Sequence, residues 1–318
     1  MVIPYILLAV GIFFLIKGAD YIVEGSSSLA KKLGVSNIII GLTVVAFATS
    51  LPELVVNLFA VTQGASEISF GNIIGSNITN ILLILGITAV ITDIKVKSRT
   101  VWKEIPFALL AAFVLFALIS KIFFTSETSL LWNDGLVLLS LLAMFIYYII
   151  QSAIEDKKRI ELIEEVDVSN WKIYSKLIVG FIGIYFGGQW VVNGAVYMAQ
   201  EFGLSQYLIS ATIIAIGTSL PELVVSIVAA LKKNVDLAVG NIVGSNIFNI
   251  LWVFGIIPFI HPITIPLFIG WDIGIMFASM LLLFVFMFLG KRHEITRKDG
   301  ITFILFYIIY IIYIIARG

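Results

Sequence analysis

Hydrophobic residues run along this chain in blocks of helix length, and polar residues collect in the short breaks between them. With about 20 residues needed to cross a bilayer core, the pattern predicts ten membrane-spanning helices. They fall at 2–30, 37–62, 68–92, 102–121, 132–152, 172–200, 206–231, 237–259, 270–290 and 300–316. The first and sixth are long and carry polar residues in their second halves, as expected of steeply tilted helices whose polar parts lie against protein. The tenth is short, but its Tyr and Ile content suits a span ending at the membrane interface.

The pattern occurs twice. Leu51 and Leu220 are as far apart as Gly71 and Gly240, 169 residues. TSLPELVV fills 49–56 and again 218–225, and GNIIGSNITN at 71–80 returns as GNIVGSNIFN at 240–249. Gly18 and Gly25 have counterparts in Gly187 and Gly194. Five spans per half is an odd number, so the second half enters the membrane from the opposite side. The expected fold is therefore an all-α membrane protein of two inverted five-helix repeats, an architecture typical of secondary transporters with a midplane site. The first repeat is expected at 1–152, the second at 172–318, and the charged stretch 153–171 as a cytoplasmic linker.

Composition agrees. Of the 318 residues 60 % are hydrophobic and 13 % charged, which excludes a soluble domain pair. The net charge of zero points to no nucleic-acid partner. The chain has no cysteine, hence no disulfide or thiolate metal site, and its two histidines give no support to a zinc enzyme. No nucleophile–base constellation is found either, so the expectation is a non-enzyme without a cofactor, needing the lipid bilayer and no obligatory protein partner. The N-terminal run has no basic stretch ahead of it and reads as a retained first span. Of the 20 lysines and arginines, all but Lys17, Lys121 and Arg317 fall at one set of span ends. That side is read as cytoplasmic, which puts both termini outside and the protein in the cell membrane.

Within this frame two glutamates stand out. Glu53 and Glu222 each lie mid-span beside a proline, where a carboxylate costs about 2.5–3.5 kcal/mol on insertion scales. Pro52 and Pro221 cannot donate a helical hydrogen bond, so each helix is expected to open just upstream, freeing carbonyls near Ala46–Thr49 and Ala215–Thr218. Such carbonyls are tolerated at membrane depth only where they line a cavity or bind something. Thr49, Ser50, Thr218 and Ser219 add hydroxyls. A second helix break is expected at Gly75 and Gly244, with Ser76, Ser245, Asn80 and Asn249 supplying neutral oxygens. An all-oxygen set selects hard cations, calcium over magnesium because its coordination is larger and more flexible, with sodium suited to the same carbonyls and hydroxyls. Asn57 and Ser226 are expected one turn beyond the glutamates, behind the ligands. Asp20 and Glu24, with their counterparts Gln189 and Asn193, read as interhelical or water-exposed groups. Asp272 is read as interfacial, and Glu161, Glu164, Glu165 and Asp167 as a solvated linker.

At these motifs the chain resembles the sodium/calcium exchanger branch of the calcium/cation antiporter superfamily, over essentially its whole length. The resemblance implies four clustered cation sites. Glu53 and Glu222 would bind calcium, helped by Thr49 and Thr218. Sodium would use the carbonyls of Ala46 and Ala215 with Ser50, Ser219, Ser76 and Ser245, and Asn80 and Asn249 would complete the middle position. Proton/calcium exchangers carry a GNxxE-type signature where this chain has Gly75-Ser76 and Gly244-Ser245, which argues against protons as the coupling ion. Potassium-dependent relatives have aspartate where this chain has Asn249, which argues against obligatory potassium. The implied function is exchange of Na+ for Ca2+ by alternating access, electrogenic at about three sodium ions per calcium. The long first and sixth spans are the candidates for the sliding element by the same analogy. The rivals are another coupling ion on the same scaffold and a passive cation channel.

Overall fold

The structure, a computed structural model, describes residues 3–120, 129–160, 169–201, 215–266 and 269–317. Lys121, the acidic cluster Glu161, Glu164, Glu165 and Asp167, and the start of the expected seventh span lie outside them. Ten helical units follow in order: α1 (Ile3–Leu33), α2 (Asn37–Thr62), α3 (Ile68–Ile91), α4 (Thr100–Ser120), α5 (Trp132–Ile160), α6 (Asn170–Glu201), α7 (Ala215–Thr218 and Leu220–Leu231), α8 (Val235–Ile260), α9 (Ile269–Phe286) and α10 (Arg297–Arg317). Among the described residues all but α7 are long and apolar enough to cross a membrane. Helix α5 runs on to Ile160, into the stretch expected as linker.

The backbone repeats as the sequence does. Ser50 (φ −85°, ψ 2°) interrupts α2, and Ser219 (φ −88°, ψ 5°) interrupts α7. A π-helical turn occupies Thr79–Ile84 in α3 and Asn249–Val253 in α8. Both helices then end on an extended residue, Thr92 and His261. The only exceptions to helix among the described residues' regular elements are four two-residue strands: β1 (Ile94–Lys95), β2 (Ser129–Leu130), β3 (Ile263–Thr264) and β4 (Glu294–Ile295). They pair antiparallel, β1 with β4 and β2 with β3, so each little ribbon ties a loop of one half to a loop of the other. The all-α expectation missed them because two residues carry no alternation to read.

Two apolar clusters divide the interior. The larger takes its residues from α2–α5 and α8–α10, and the smaller from α1 and α6 with parts of α2, α7 and α8. Helices α3 and α8 are the most enclosed of the long ones, with 78 % and 83 % of their apolar windows buried, against 33 % for α1 and 39 % for α6. Helices α1 and α6 pack backbone to backbone. A Cβ added at Gly18 would stand 2.8 Å from the Gly180 carbonyl oxygen, and one at Gly180 would stand 2.9 Å from that of Gly18. In hydrocarbon, where apolar burial drives little association, such close approach of small residues is what holds helices together.

Candidate cation site

Pro52 and Pro221 each occupy the second residue of a new helical segment, where a missing N–H costs nothing. The glutamate that follows is thereby placed in a first helical turn. The expected unwinding over Ala46–Thr49 does not occur. The break is confined to Ser50, and the Ala46 carbonyl still accepts the Ser50 N–H (3.1 Å) and the Thr49 hydroxyl (3.3 Å). A π-helical turn at Gly41–Val45 precedes it. In the second half the Ser219 N–H goes to the Ile216 carbonyl (3.1 Å).

Gly75 and Gly244 do not break their helices either, for Ser66–Ile78 and Val235–Phe248 run straight through them. Gly244 serves packing, since a Cβ there would lie 2.7 Å from that of Ala46 and 2.8 Å from the Leu42 Cα. One turn earlier a Cβ at Gly240 would meet the Ile38 carbonyl at 2.6 Å. The distortion comes later, at the π turns beginning with Thr79 and Asn249, a device common at functional sites. It carries Asn80 and Asn249 into the interior.

Glu53 and Glu222 are both fully buried, and no carboxylate oxygen of either makes a hydrogen bond of ordinary length and angle. Glu53 lies within electrostatic reach of Glu222 and has the Ser76 hydroxyl beside its carboxylate, while the hydroxyls of Thr49, Ser245 and Ser50 stand beside that of Glu222 in loose hydrogen-bonding contact. The hydroxyls of Ser50, Ser76 and Ser219, the Asn80 Oδ1 and both polar atoms of Asn249 are likewise buried and unpaired. Buried polar atoms in proteins are nearly always bonded, so a concentration of bare oxygens at the meeting of α2, α3, α7 and α8 has the chemistry of a cation cage. Among the described residues no three His, Cys, Asp or Glu side chains come together, so two carboxylates and neutral oxygens make up the donor set. Thr218 is half-buried and lines a cavity of about 200 Å³ with Pro52, Val56, Gln189, Asn193 and Pro221.

Cross-links between the halves frame these oxygens. The Thr49 hydroxyl shares its one proton between Asn241 Oδ1 (3.2 Å) and the Ala46 carbonyl, and lies 3.3 Å from Ser245 Oγ. The Thr218 hydroxyl donates to Asn72 Oδ1 (2.9 Å), and Asn80 Nδ2 to Asn246 Oδ1 (2.9 Å). Asn57 and Ser226 sit behind the carboxylates, Asn57 Nδ2 donating to the Glu53 carbonyl (2.6 Å) and Ser226 Oγ accepting from Asn241 (3.1 Å). Asn72, Asn241 and Asn246 were not singled out from sequence, although they recur within the same doubled motif.

The lysine-rich face is closed by ion pairs. Lys232, just past α7, reaches Asp20 (2.9 Å) and Glu24 (3.0 Å) of α1, and Lys176 of α6 reaches Glu24 (2.9 Å). Burial alone would lower the Lys232 pKa, but hydrogen bonds to Asp20 and Glu24 outweigh it and raise it. Asp20 and Glu24 are thus the interhelical groups expected, and Asp272 is buried in the first turn of α9.

The family model described as sodium/calcium exchanger protein matches residues 3–151 and 173–316. A putative antiporter CaxA of Alkalimonas amylolytica is 39 % identical over 309 residues, covering 96 % of each chain. The sodium/calcium exchanger MaX1 of Methanosarcina acetivorans is 30 % identical over 337 residues, covering 95 % of this chain and 96 % of its own. A solved structure of the sodium-calcium exchanger NCX_Mj superposes with a TM-score of 0.82 at 36 % identity, covering 98 % of this chain and 99 % of that one.

Proposed function

The chain belongs to the sodium/calcium exchanger protein family, a family of membrane antiporters and not of enzymes, and on that premise we propose that it exchanges about three Na+ for one Ca2+ by alternating access. The observation that carries the reading is the pair of buried, unpartnered carboxylates, Glu53 and Glu222, one from each half. A single Ca2+ neutralises that pair, and three Na+ leave it at +1. Exchange therefore moves net charge and responds to membrane potential. Calcium takes the carboxylates with Thr49 and Thr218. Sodium takes Ser50, Ser219, Ser76 and Ser245 with the carbonyls of Ala46 and Ala215. Asn80 and Asn249 face the middle position, where a neutral Asn249 leaves no extra charge to demand potassium.

Alternating access is supported by a closed lysine-rich face and a cavity opposite it. The lysine-rich side, read as cytoplasmic in the cell membrane, is sealed by Gly240 and Gly244 against α2 and by the Lys232 ion pairs. The cavity reaching Thr218 lies toward the other side. Helices α1 and α6, joined closely to each other and sharing a small apolar cluster, are the unit that slides.

The test is labelled calcium uptake into proteoliposomes loaded with sodium, repeated with and without potassium and a proton gradient. Uptake should require the sodium gradient alone. Calcium entry without any counter-gradient would indicate a channel, and dependence on potassium or protons another coupling on the same scaffold.

A further inference from the structure

The doubled GNxxGSN motif contains asparagines that the cation site as described does not use. Asn72, Asn241 and Asn246 are buried, and none is among the expected ligands. Each accepts a hydrogen from a group that is. Asn72 Oδ1 takes the Thr218 hydroxyl proton at 2.9 Å, Asn241 Oδ1 shares that of Thr49 (3.2 Å) with the Ala46 carbonyl (3.3 Å), and Asn246 Oδ1 takes one hydrogen of the Asn80 amide at 2.9 Å. The nitrogen ends of two of these acceptors are held elsewhere. Asn241 Nδ2 donates to Ser226 Oγ (3.1 Å) and the Glu222 carbonyl (3.4 Å), and Asn246 Nδ2 to the Asn77 carbonyl (3.4 Å). Their oxygens are thereby the ends turned toward the ligands.

A hydroxyl or carboxamide both donates and accepts, and only its lone pairs serve a cation. A hydroxyl free to rotate can turn its proton toward the metal, so fixing that proton elsewhere prepares the ligand before the ion arrives. We propose that Asn72, Asn241 and Asn246 are positioning residues. Each holds a donor hydrogen of a ligand on the opposite half, so that the ligand turns its lone pairs toward the transported cation. Asparagine suits the task because it accepts without adding charge, which keeps the two-carboxylate balance with calcium. The proposal rests on the cation-site reading above.

The Asn72–Thr218 pair is the cleanest place to test it, because Asn72 Nδ2 has no partner and the oxygen carries the whole contact. In proteoliposomes, Asn72→Ala should raise the calcium KM by about tenfold, the scale of one lost hydrogen bond, with maximal rate little changed. In a Thr218→Val background the same change should add less than about twofold, since the ligand it serves is gone. Melting temperatures, read alongside, separate a folding defect, which would not follow this pattern. Effects of Asn72→Ala and Thr218→Val that simply add overturn the positioning role. An unchanged KM in Thr218→Val overturns the ligand assignment and this role with it. A weakened Thr218→Val beside an unaffected Asn72→Ala overturns the role alone and leaves the site standing. Should Asn72→Ala not fold, the cycle of Asn246→Ala with Asn80→Ala is judged by the same criteria.

Discussion

Replacing Glu53 by glutamine keeps the side chain's shape and one of its oxygens while removing one of the two charges in a fully buried site. Two unit charges about 4 Å apart at an effective dielectric constant of about 20 interact by about 4 kcal/mol. That separation is longer than the roughly 2.3–2.6 Å of a calcium–oxygen bond, so the figure understates a direct ligand. Calcium, doubly charged, loses about 8 kcal/mol and sodium about 4 on the same scale. The site should then bind calcium more weakly relative to sodium by about 4 kcal/mol, close to three decades. The assay is sodium-gradient-driven calcium uptake across a range of calcium, with sodium competition measured in the same vesicles. Glu53→Gln should abolish measurable calcium uptake while sodium still competes at higher concentration, and Glu222→Gln should do likewise. Calcium uptake within about tenfold of the parent, or an equal weakening of both ions, would refute the charge argument.

Acid should inhibit calcium uptake, because a proton on Glu53 or Glu222 removes the charge that holds the ion, and added calcium should relieve it; a rate unchanged below the ordinary glutamate pKa of about 4.3 would contradict this. A potential of 100 mV is worth about 2.3 kcal/mol per net charge moved, so it should shift the equilibrium calcium gradient by roughly fiftyfold; a gradient indifferent to an ionophore-set potential would mean neutral exchange. Lys232→Gln should loosen the lysine-rich face by a few-fold only, since exposed ion pairs are worth at most about 1 kcal/mol. The chain has no native cysteine, so Asn193→Cys, at the cavity, reports the change directly. Its labelling by an impermeant thiol reagent from the lysine-poor side should slow in Lys232→Gln, and an unchanged rate would show that these ion pairs do not bias access.

Much of the architecture is legible in the residue pattern because membrane helices announce themselves by length and apolarity, and the 169-residue offset of two motifs shows a repeat that an odd number of spans per half would invert. The carboxylates Glu53 and Glu222 are legible for the same reason, as charges where hydrocarbon is expected. The backbone beside them is less so. A proline within a span reads as a helix opened upstream, yet Pro52 and Pro221 sit in first turns that have no use for their N–H. A glycine within a span reads as a weak point, yet Gly244 admits the backbone of α2, a partner nearly two hundred positions earlier. The asparagine contacts were hidden by the same distance. Asn72 and Thr218, or Thr49 and Asn241, meet only once the halves are folded against one another.

Those contacts between the halves bear on how the molecule is made. While the ribosome is still extending the chain, Thr49, Glu53 and Asn80 have entered the bilayer, but Asn241, Glu222 and Asn246 have not yet been synthesised. The nascent first half must shelter these polar groups in lipid with help from water, a chaperone or an insertase until its mate emerges. Quality control at that moment would act on a half-finished protein whose defect is thirst for oxygen and charge rather than exposed grease.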